Sequence, residues 1–202
     1  MNNRAVILLS GGLDSLVALS ETINFYNIRF ALFFNYGQDS EQQELLAARE
    51  IAEHYNIKLV LVKLEWFKNL LDVGKTDWVP NRNGIFINIA AGFAERLDIA
   101  NVIIGINKEE GAEFKDNTKE FLDAVNNQLK HSTQNEVKVV APLINYNKEQ
   151  IVKSGINNGA PLEKIYSCYL GKEKHCGDCK SCRHLKAALE KNGQTDLINQ
   201  LF

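Results

Sequence analysis

Short apolar runs rich in β-branched residues alternate along this chain with longer stretches whose apolar positions recur at helical spacing. The runs at 5–9, 29–35, 58–63, 101–105 and 137–141 predict strands. The stretches at 14–22, 38–54, 83–97, 116–130 and 148–157 predict helices. In the third of these, Ile85, Phe86, Ile89, Ala90, Phe93 and Leu97 share a face that reads as core, not as a ligand box. Near-continuous apolar strands set between helices belong to a parallel sheet covered on both sides. The expected fold is therefore α/β with a doubly wound parallel sheet. Ligands in such folds sit beyond the carboxyl ends of the strands, where strand order reverses. That rule gathers the loops after Leu9, Phe34 and Gly105.

Composition adjusts this picture only slightly. The 202 residues allow one domain with a small appendage, divided as 1–160 for the α/β domain and 161–202 for a cysteine-bearing segment and C-terminal helix packed on it. An apolar content of 45% supplies a full core, and three prolines argue against long extended linkers. A net charge of -2 sets up no global field for nucleic acid. No apolar run is long enough to span a bilayer. No secretory leader is recognised, so a cytoplasmic location with reduced thiols is expected.

The first strand breaks into Ser10-Gly11-Gly12-Leu13-Asp14-Ser15, and Leu16, Val17, Ala18 and Leu19 then restart as a helix. Glycines let the backbone turn tightly and approach a ligand. A helix start offers unpaired N–H groups and a positive dipole end, so this junction is built for an anion. Ser10 and Ser15 add hydroxyls. Asp14 would repel a phosphate, and suits a helix start or a Mg²⁺ ligand. The Walker pattern is excluded because no lysine follows Gly12, and the dinucleotide pattern G-x-G-x-x-G is absent.

Two further loops extend the site. Asn35, Tyr36, Gly37 and Gln38 follow the second strand and are placed to hold an adenine, although a plain helix start would look similar. Pro80 and Arg82 open the third long helix, where Arg82 could neutralise charge on an α-phosphate; a surface arginine is the duller reading.

All four cysteines, Cys168, Cys176, Cys179 and Cys182, lie within fifteen residues. Spacers of seven, two and two residues suit a tetrahedral metal site of four thiolates. Structural zinc is the expectation, with an iron–sulfur cluster as the chemical rival and disulfides disfavoured in a reducing compartment. His175 could ligate, but four sulfurs already saturate such a site. The nearby Lys172, Lys174, Lys180, Arg183 and Lys186 read as solubility rather than as a polyanion surface.

Taken in order, SGGLDS, FNYGQ, VPNRN, Ile104-Gly105-Ile106-Asn107, Ala141-Pro142-Leu143-Ile144, Ser167-Cys168-Tyr169 and the C-G-D-C-K-S-C run resemble the 7-cyano-7-deazaguanine synthase family. SGGLDS alone resembles the pyrophosphate loop of the wider ATP-pyrophosphatase superfamily. The resemblance covers nearly the whole chain. It implies an adenine nucleotide alpha hydrolase-like fold, a structural zinc on the four cysteines and Mg-ATP as co-substrate. The implied reaction is an AMP-forming ligation. ATP adenylates 7-carboxy-7-deazaguanine, ammonia displaces AMP to give the amide, and a second ATP drives loss of its oxygen to leave the nitrile. The residues implied for nucleotide and pyrophosphate are Leu9, Ser10, Gly11, Gly12, Leu13, Asp14 and Ser15, with Asn35, Tyr36, Gly37 and Gln38. Asp14, Ser15 and Arg82 would serve the chemistry, and Arg82, Asn83, Gly105, Asn107 and Asp116 would face the substrate. Lys174 and His175 are weaker candidates for the same mouth.

The chain departs from that family's pattern at three places. Asp39 and Ser40 follow Gln38 where arginine and histidine are usual, the stretch between Leu64 and Val79 is short, and the loop at 110–118 keeps Asp116 but not the family's cysteine and arginine. An altered acceptor is one consequence: a defence-associated relative that passes the deazaguanine group to a protein amine. A tRNA-thiolating enzyme, another amide synthetase and a non-catalytic nucleotide-binding zinc module are the remaining alternatives. The family also tends to form homodimers.

Overall fold

The computed structural model describes residues 3–70 and 78–202. Five parallel strands form one sheet: β1 (Arg4–Leu8), β2 (Asn27–Asn35), β3 (Leu59–Lys63), β4 (Asn101–Ile103) and β5 (Lys138–Val140). Their spatial order is β3-β2-β1-β4-β5, so the winding reverses beside β1. The doubly wound expectation is met, and the crevice falls where β1 and β4 diverge.

The alternation of β1 explains the layers. Ala5, Ile7 and Leu9 point into one core with α1 (Leu13–Thr22), α2 (Glu41–His54) and α7 (Lys148–Asn157). Val6 and Leu8 point into the other, against α4 (Arg82–Arg96) and α6 (Lys119–Ser132). All five of these residues are almost fully buried, as a central parallel strand requires. The edge strands β3 and β5 are only partly covered.

Several expected boundaries shift. The helix expected at 38–54 begins at Glu41, because Gln38 folds back on the turn that precedes it. The helix expected at 116–130 is divided. A 3-10 turn at Lys115–Asn117 ends at Thr118, whose extended ψ of 163° stops it and whose side chain accepts from Phe121 N to start α6. Two short helices were not anticipated, α3 (Glu65–Leu70) and α5 (Lys108–Gly111), and the single C-terminal helix expected is two, α8 (Lys180–Lys191) and α9 (Thr195–Leu201). The short stretch noted between Leu64 and Val79 falls partly on 71–77, outside the described residues.

Leu185, Ala188 and Leu189 of α8 join the same apolar cluster as Leu16 and Val17 of α1. The cysteine-bearing segment thus shares the core of the sheet domain. Among the described residues no helix is long and apolar enough to cross a membrane.

Candidate active site

A cavity of about 260 Å³ opens at the carboxyl ends of β1, β2 and β4. Leu9, Ser10, Gly12, Leu13, Asp14 and Ser15 line it from the first loop, and Tyr36 and Gln38 from the second. Arg82, Asn83, Gly105 and Asp116 complete the set of expected residues that reach it. Gly11, Asn35, Gly37 and Asn107 do not.

Gly11, Asn35 and Asn107 each have another task. Gly11 sits at φ +84°, and a Cβ there would lie 2.5 Å from the Glu44 carbonyl oxygen, so it lets the loop press against α2. The Asn35 side chain accepts from Gly37 N at 3.1 Å and shapes the turn. Asn107 is fully buried and caps α5, its Oδ1 accepting from Glu109 N and Glu110 N at 3.0 and 3.1 Å. Capping takes up its oxygen, and its buried Nδ2 has no hydrogen-bond partner.

The first loop is held from several directions. Ser15 Oγ donates to the Gly12 carbonyl (3.0 Å), Ser10 Oγ donates to Ser15 Oγ (3.2 Å), and Gly12 N donates to Ser10 Oγ (3.3 Å). Gly105 lies so close that a Cβ would fall 2.6 Å from the Asp14 carbonyl oxygen. From the distant cysteine segment, Tyr166 N donates to the Gly11 carbonyl (2.9 Å) and Ser167 Oγ accepts from Leu13 N (3.3 Å).

An aromatic wall stands beside the loop. Phe34 and Phe86 stack with centroids 4.2 Å apart and planes 4° from parallel, and Tyr36 tilts against Phe86 at 5.4 Å. Arg82 is partly buried at the start of α4, and its Nη1 donates to Tyr36 Oη at 3.3 Å. It is not the free surface arginine of the duller reading. Asn83 and Asp116 hold one another: Asn83 N donates to Asp116 Oδ2 (3.2 Å) and Asn83 Nδ2 to the Asp116 carbonyl (3.0 Å). Asp116 therefore ties the 110–118 loop to the first turn of α4.

Sequence reasoning missed the charged centre of the cavity. Lys148, the first residue of α7, donates to Asp14 Oδ2 at 2.5 Å and to Glu110 Oε1 at 2.8 Å. Burial pushes the Asp14 carboxyl up to about 6, with Lys148 pulling the other way. Burial also opposes the charged form of Lys148, yet Asp14 and then Glu110 outweigh it and hold its pKa above the ordinary lysine value. Asp14 Oδ1 is buried with no hydrogen-bond partner. An unsatisfied buried carboxylate oxygen beside an anion loop fits a hard cation such as Mg²⁺. The one clue in the sequence was the Asn147-x-x-Gln150 spacing, which forms a capping box and fixes Lys148 at a helix start on the ligand side of the sheet.

The mouth is closed on one side by the cysteine segment. Lys180 at the start of α8 forms an ion pair with Glu113 and lies 5.8 Å from the Phe114 ring centroid. Lys174 is exposed and stands outside the cavity. His175 does not reach it either. Its Nε2 accepts from Ser167 N (3.0 Å), its Nδ1 donates to the Leu201 carbonyl (3.2 Å), and burial lowers its pKa, so the neutral ring is a brace.

The four cysteine Sγ atoms lie within 4.8 Å of one another, with Cys176 to Cys182 at 3.8 Å. Metal–sulfur bonds of about 2.3 Å in a tetrahedron place sulfurs ~3.8 Å apart, so the group could hold a single metal ion. Cys176 Sγ already accepts from Cys179 N (3.2 Å) and Asp178 N (3.4 Å), bonds that favour a thiolate.

The family model described as "Queuosine biosynthesis protein QueC" matches residues 4–77 and 71–193. The chain belongs to the QueC family. Relatives named 7-cyano-7-deazaguanine synthase include one from Carboxydothermus hydrogenoformans, 40% identical over 92% of this chain and 97% of its own length. Another, from Bdellovibrio bacteriovorus, is 41% identical over 93% of both chains. Like its QueC relatives the chain is an enzyme of the synthase type, and its fold is that of the pyrophosphate-loop proteins. A 4-thiouridine synthetase–RNA complex with bound ATP superposes with a TM-score of 0.57 at 21% identity, covering 99% of this chain and 53% of that one. The U34-tRNA thiolase NcsA from Methanococcus maripaludis, with its [4Fe-4S] cluster, gives 0.55 at 21% over 98% and 70%. At such identities these two likenesses concern the fold alone.

Proposed function

We propose that the chain is an ATP-dependent carbon–nitrogen ligase that converts 7-carboxy-7-deazaguanine and ammonia to 7-cyano-7-deazaguanine, with release of AMP and pyrophosphate. The observation that carries this reading is QueC family membership along nearly the whole chain, through relatives that bear the synthase name. The anion loop at the switch point gives it a physical basis.

A carboxylate oxygen is a poor leaving group and AMP a good one. In the first step the substrate carboxylate attacks the α-phosphorus and the bond to pyrophosphate breaks. Ammonia then attacks the acyl carbon, AMP departs and a proton is lost. In the second round the amide oxygen attacks another ATP, and loss of AMP with the remaining nitrogen protons leaves the nitrile. The protein's part is alignment and charge stabilisation.

Ser10, Gly12 and Ser15 with the start of α1 would hold the pyrophosphate. Asp14 would hold Mg²⁺, which when bound offsets phosphate charge. Arg82 would meet charge building on the α-phosphate, and Tyr36 with the Phe34–Phe86 stack offers the adenine an apolar wall. Asn83, Gly105 and Asp116 would border the acceptor. The four cysteines would hold zinc. The sulfur spacing supports one ion, since sulfurs bound to the corners of a four-iron cluster stand farther apart.

Mass spectrometry of the protein incubated with Mg-ATP, 7-carboxy-7-deazaguanine and ammonium tests the reading. Nitrile with AMP and pyrophosphate is expected. Amide alone would remove the second step, and absence of AMP would overturn the proposal.

A further inference from the structure

Lys148 stands between two carboxylates brought from separate parts of the chain. Asp14 belongs to the anion loop, Glu110 to α5, and Lys148 to the start of α7. The Lys148 side chain is only 15% exposed and that of Asp14 18%. Together the three groups carry one surplus negative charge. A buried ion pair offsets its desolvation only when the remaining lone pairs are satisfied. Here they are not, because Asp14 Oδ1 has no partner. Stability alone is a poor account of such a trio. Surplus negative charge and a free carboxylate oxygen are, however, what a hard divalent cation requires. Without the ammonium, Asp14 and Glu110 would repel one another across the cavity wall.

We infer that Lys148 is a positioning residue that serves as a resident stand-in for the divalent cation. In the nucleotide-free protein it holds Asp14 and Glu110 together and keeps a free divalent ion from settling on them. The inference rests on the reading above that Asp14 belongs to the Mg-ATP site. An incoming nucleotide brings its own cation to Asp14 and offers the ammonium a new anion, so Asp14 and Lys148 each keep an opposite charge beside them. The device makes metal binding conditional on nucleotide.

The test titrates Mn²⁺, followed by electron paramagnetic resonance, into the full chain without nucleotide. Lys148→Met should bind Mn²⁺ more tightly than wild type by about tenfold or more, which corresponds to about 1.4 kcal/mol. Lys148→Arg should return the wild-type behaviour, and Lys148→Met combined with Asp14→Asn should lose the gain. A folded Lys148→Met protein without the gain overturns the inference, as does a gain that survives Asp14→Asn. If Lys148→Met does not fold, Lys148→Gln replaces it, and its melting temperature should rise with Mn²⁺ where that of wild type does not. A Lys148→Gln protein that fails to fold with or without Mn²⁺ also overturns it. Failure of the underlying reading looks different: the wild type would not bind Mg-ATP at all. Mg-ATP binding by wild type without a Mn²⁺ gain in the variants removes only the inference.

Discussion

Gly105 illustrates how a single hydrogen atom can set a site. Its missing side chain lets the loop after β4 lie against the backbone of Asp14 and Ser15. Gly105→Ala would push a methyl group to 2.6 Å from the Asp14 carbonyl oxygen, with backbone on the other side that cannot rotate away. Overpacking of this kind costs about 1–3 kcal/mol. A lower melting temperature is expected together with a loss of AMP formation, and an unchanged melting curve would contradict the packing argument. Asp14→Asn should separate the two effects. Lys148 keeps Glu110 as a partner in that variant, so the fold should melt close to wild type. AMP formation should fall by about 10²-fold or more, as for the loss of one preorganised electrostatic contact. Calorimetry and an AMP assay on the same preparation check both halves.

At the scale of elements, the cysteine segment acts as a bracket between α8, the C-terminus and the anion loop. Cys176→Ala removes one sulfur of the four-cysteine group, and Cys182, on α8, loses a sulfur neighbour at 3.8 Å. Hydrogen exchange should then rise across 166–182 while β1 and β2 stay protected, because those strands are buried in cores of their own. Equal exchange over both regions would show that the bracket is not a separate cooperative unit. His175→Ala should weaken the same bracket by about 1–3 kcal/mol, since it leaves Ser167 N without its ring partner, while the Leu201 carbonyl keeps the backbone N–H of residue 175. A thermal denaturation series reads that loss directly.

For the whole molecule, the features legible in the sequence were those written in contiguous residues. The strand–glycine–helix junction of Ser10 to Ser15, the cysteine spacing and the helical stripe from Ile85 to Ala90 each carry their geometry locally, whereas Phe93 and Leu97, expected on the same buried face, are 40% and 50% exposed because they stand at the edge of the core. The parallel order also followed, because apolar strands between helices have few alternatives. What sequence reading missed depends on meetings between distant segments. Lys148 and Asp14 are separated by 134 positions, and nothing in the lysine's neighbours announces its partner. Asn107 was legible only as a motif position: its Oδ1 caps α5 through two backbone N–H groups while its buried Nδ2 has no hydrogen-bond partner, a division that spacing does not reveal. Elemental analysis of the intact chain should find about one zinc per molecule without the colour of an iron–sulfur chromophore.

The two hydrogen bonds that run from Tyr166 and Ser167 to the anion loop carry a thermodynamic consequence. They make the four-cysteine group and the loop at Ser10–Ser15 parts of one seam, so neither can loosen without the other registering it. With a metal on the cysteines and a nucleotide on the loop, as proposed, the two occupancies would form a linked equilibrium. Whatever factor the bound metal adds to nucleotide affinity, bound nucleotide must return to metal affinity. Under the proposed function, removal of the metal should weaken nucleotide binding, and bound nucleotide should raise the affinity for the metal by the same factor.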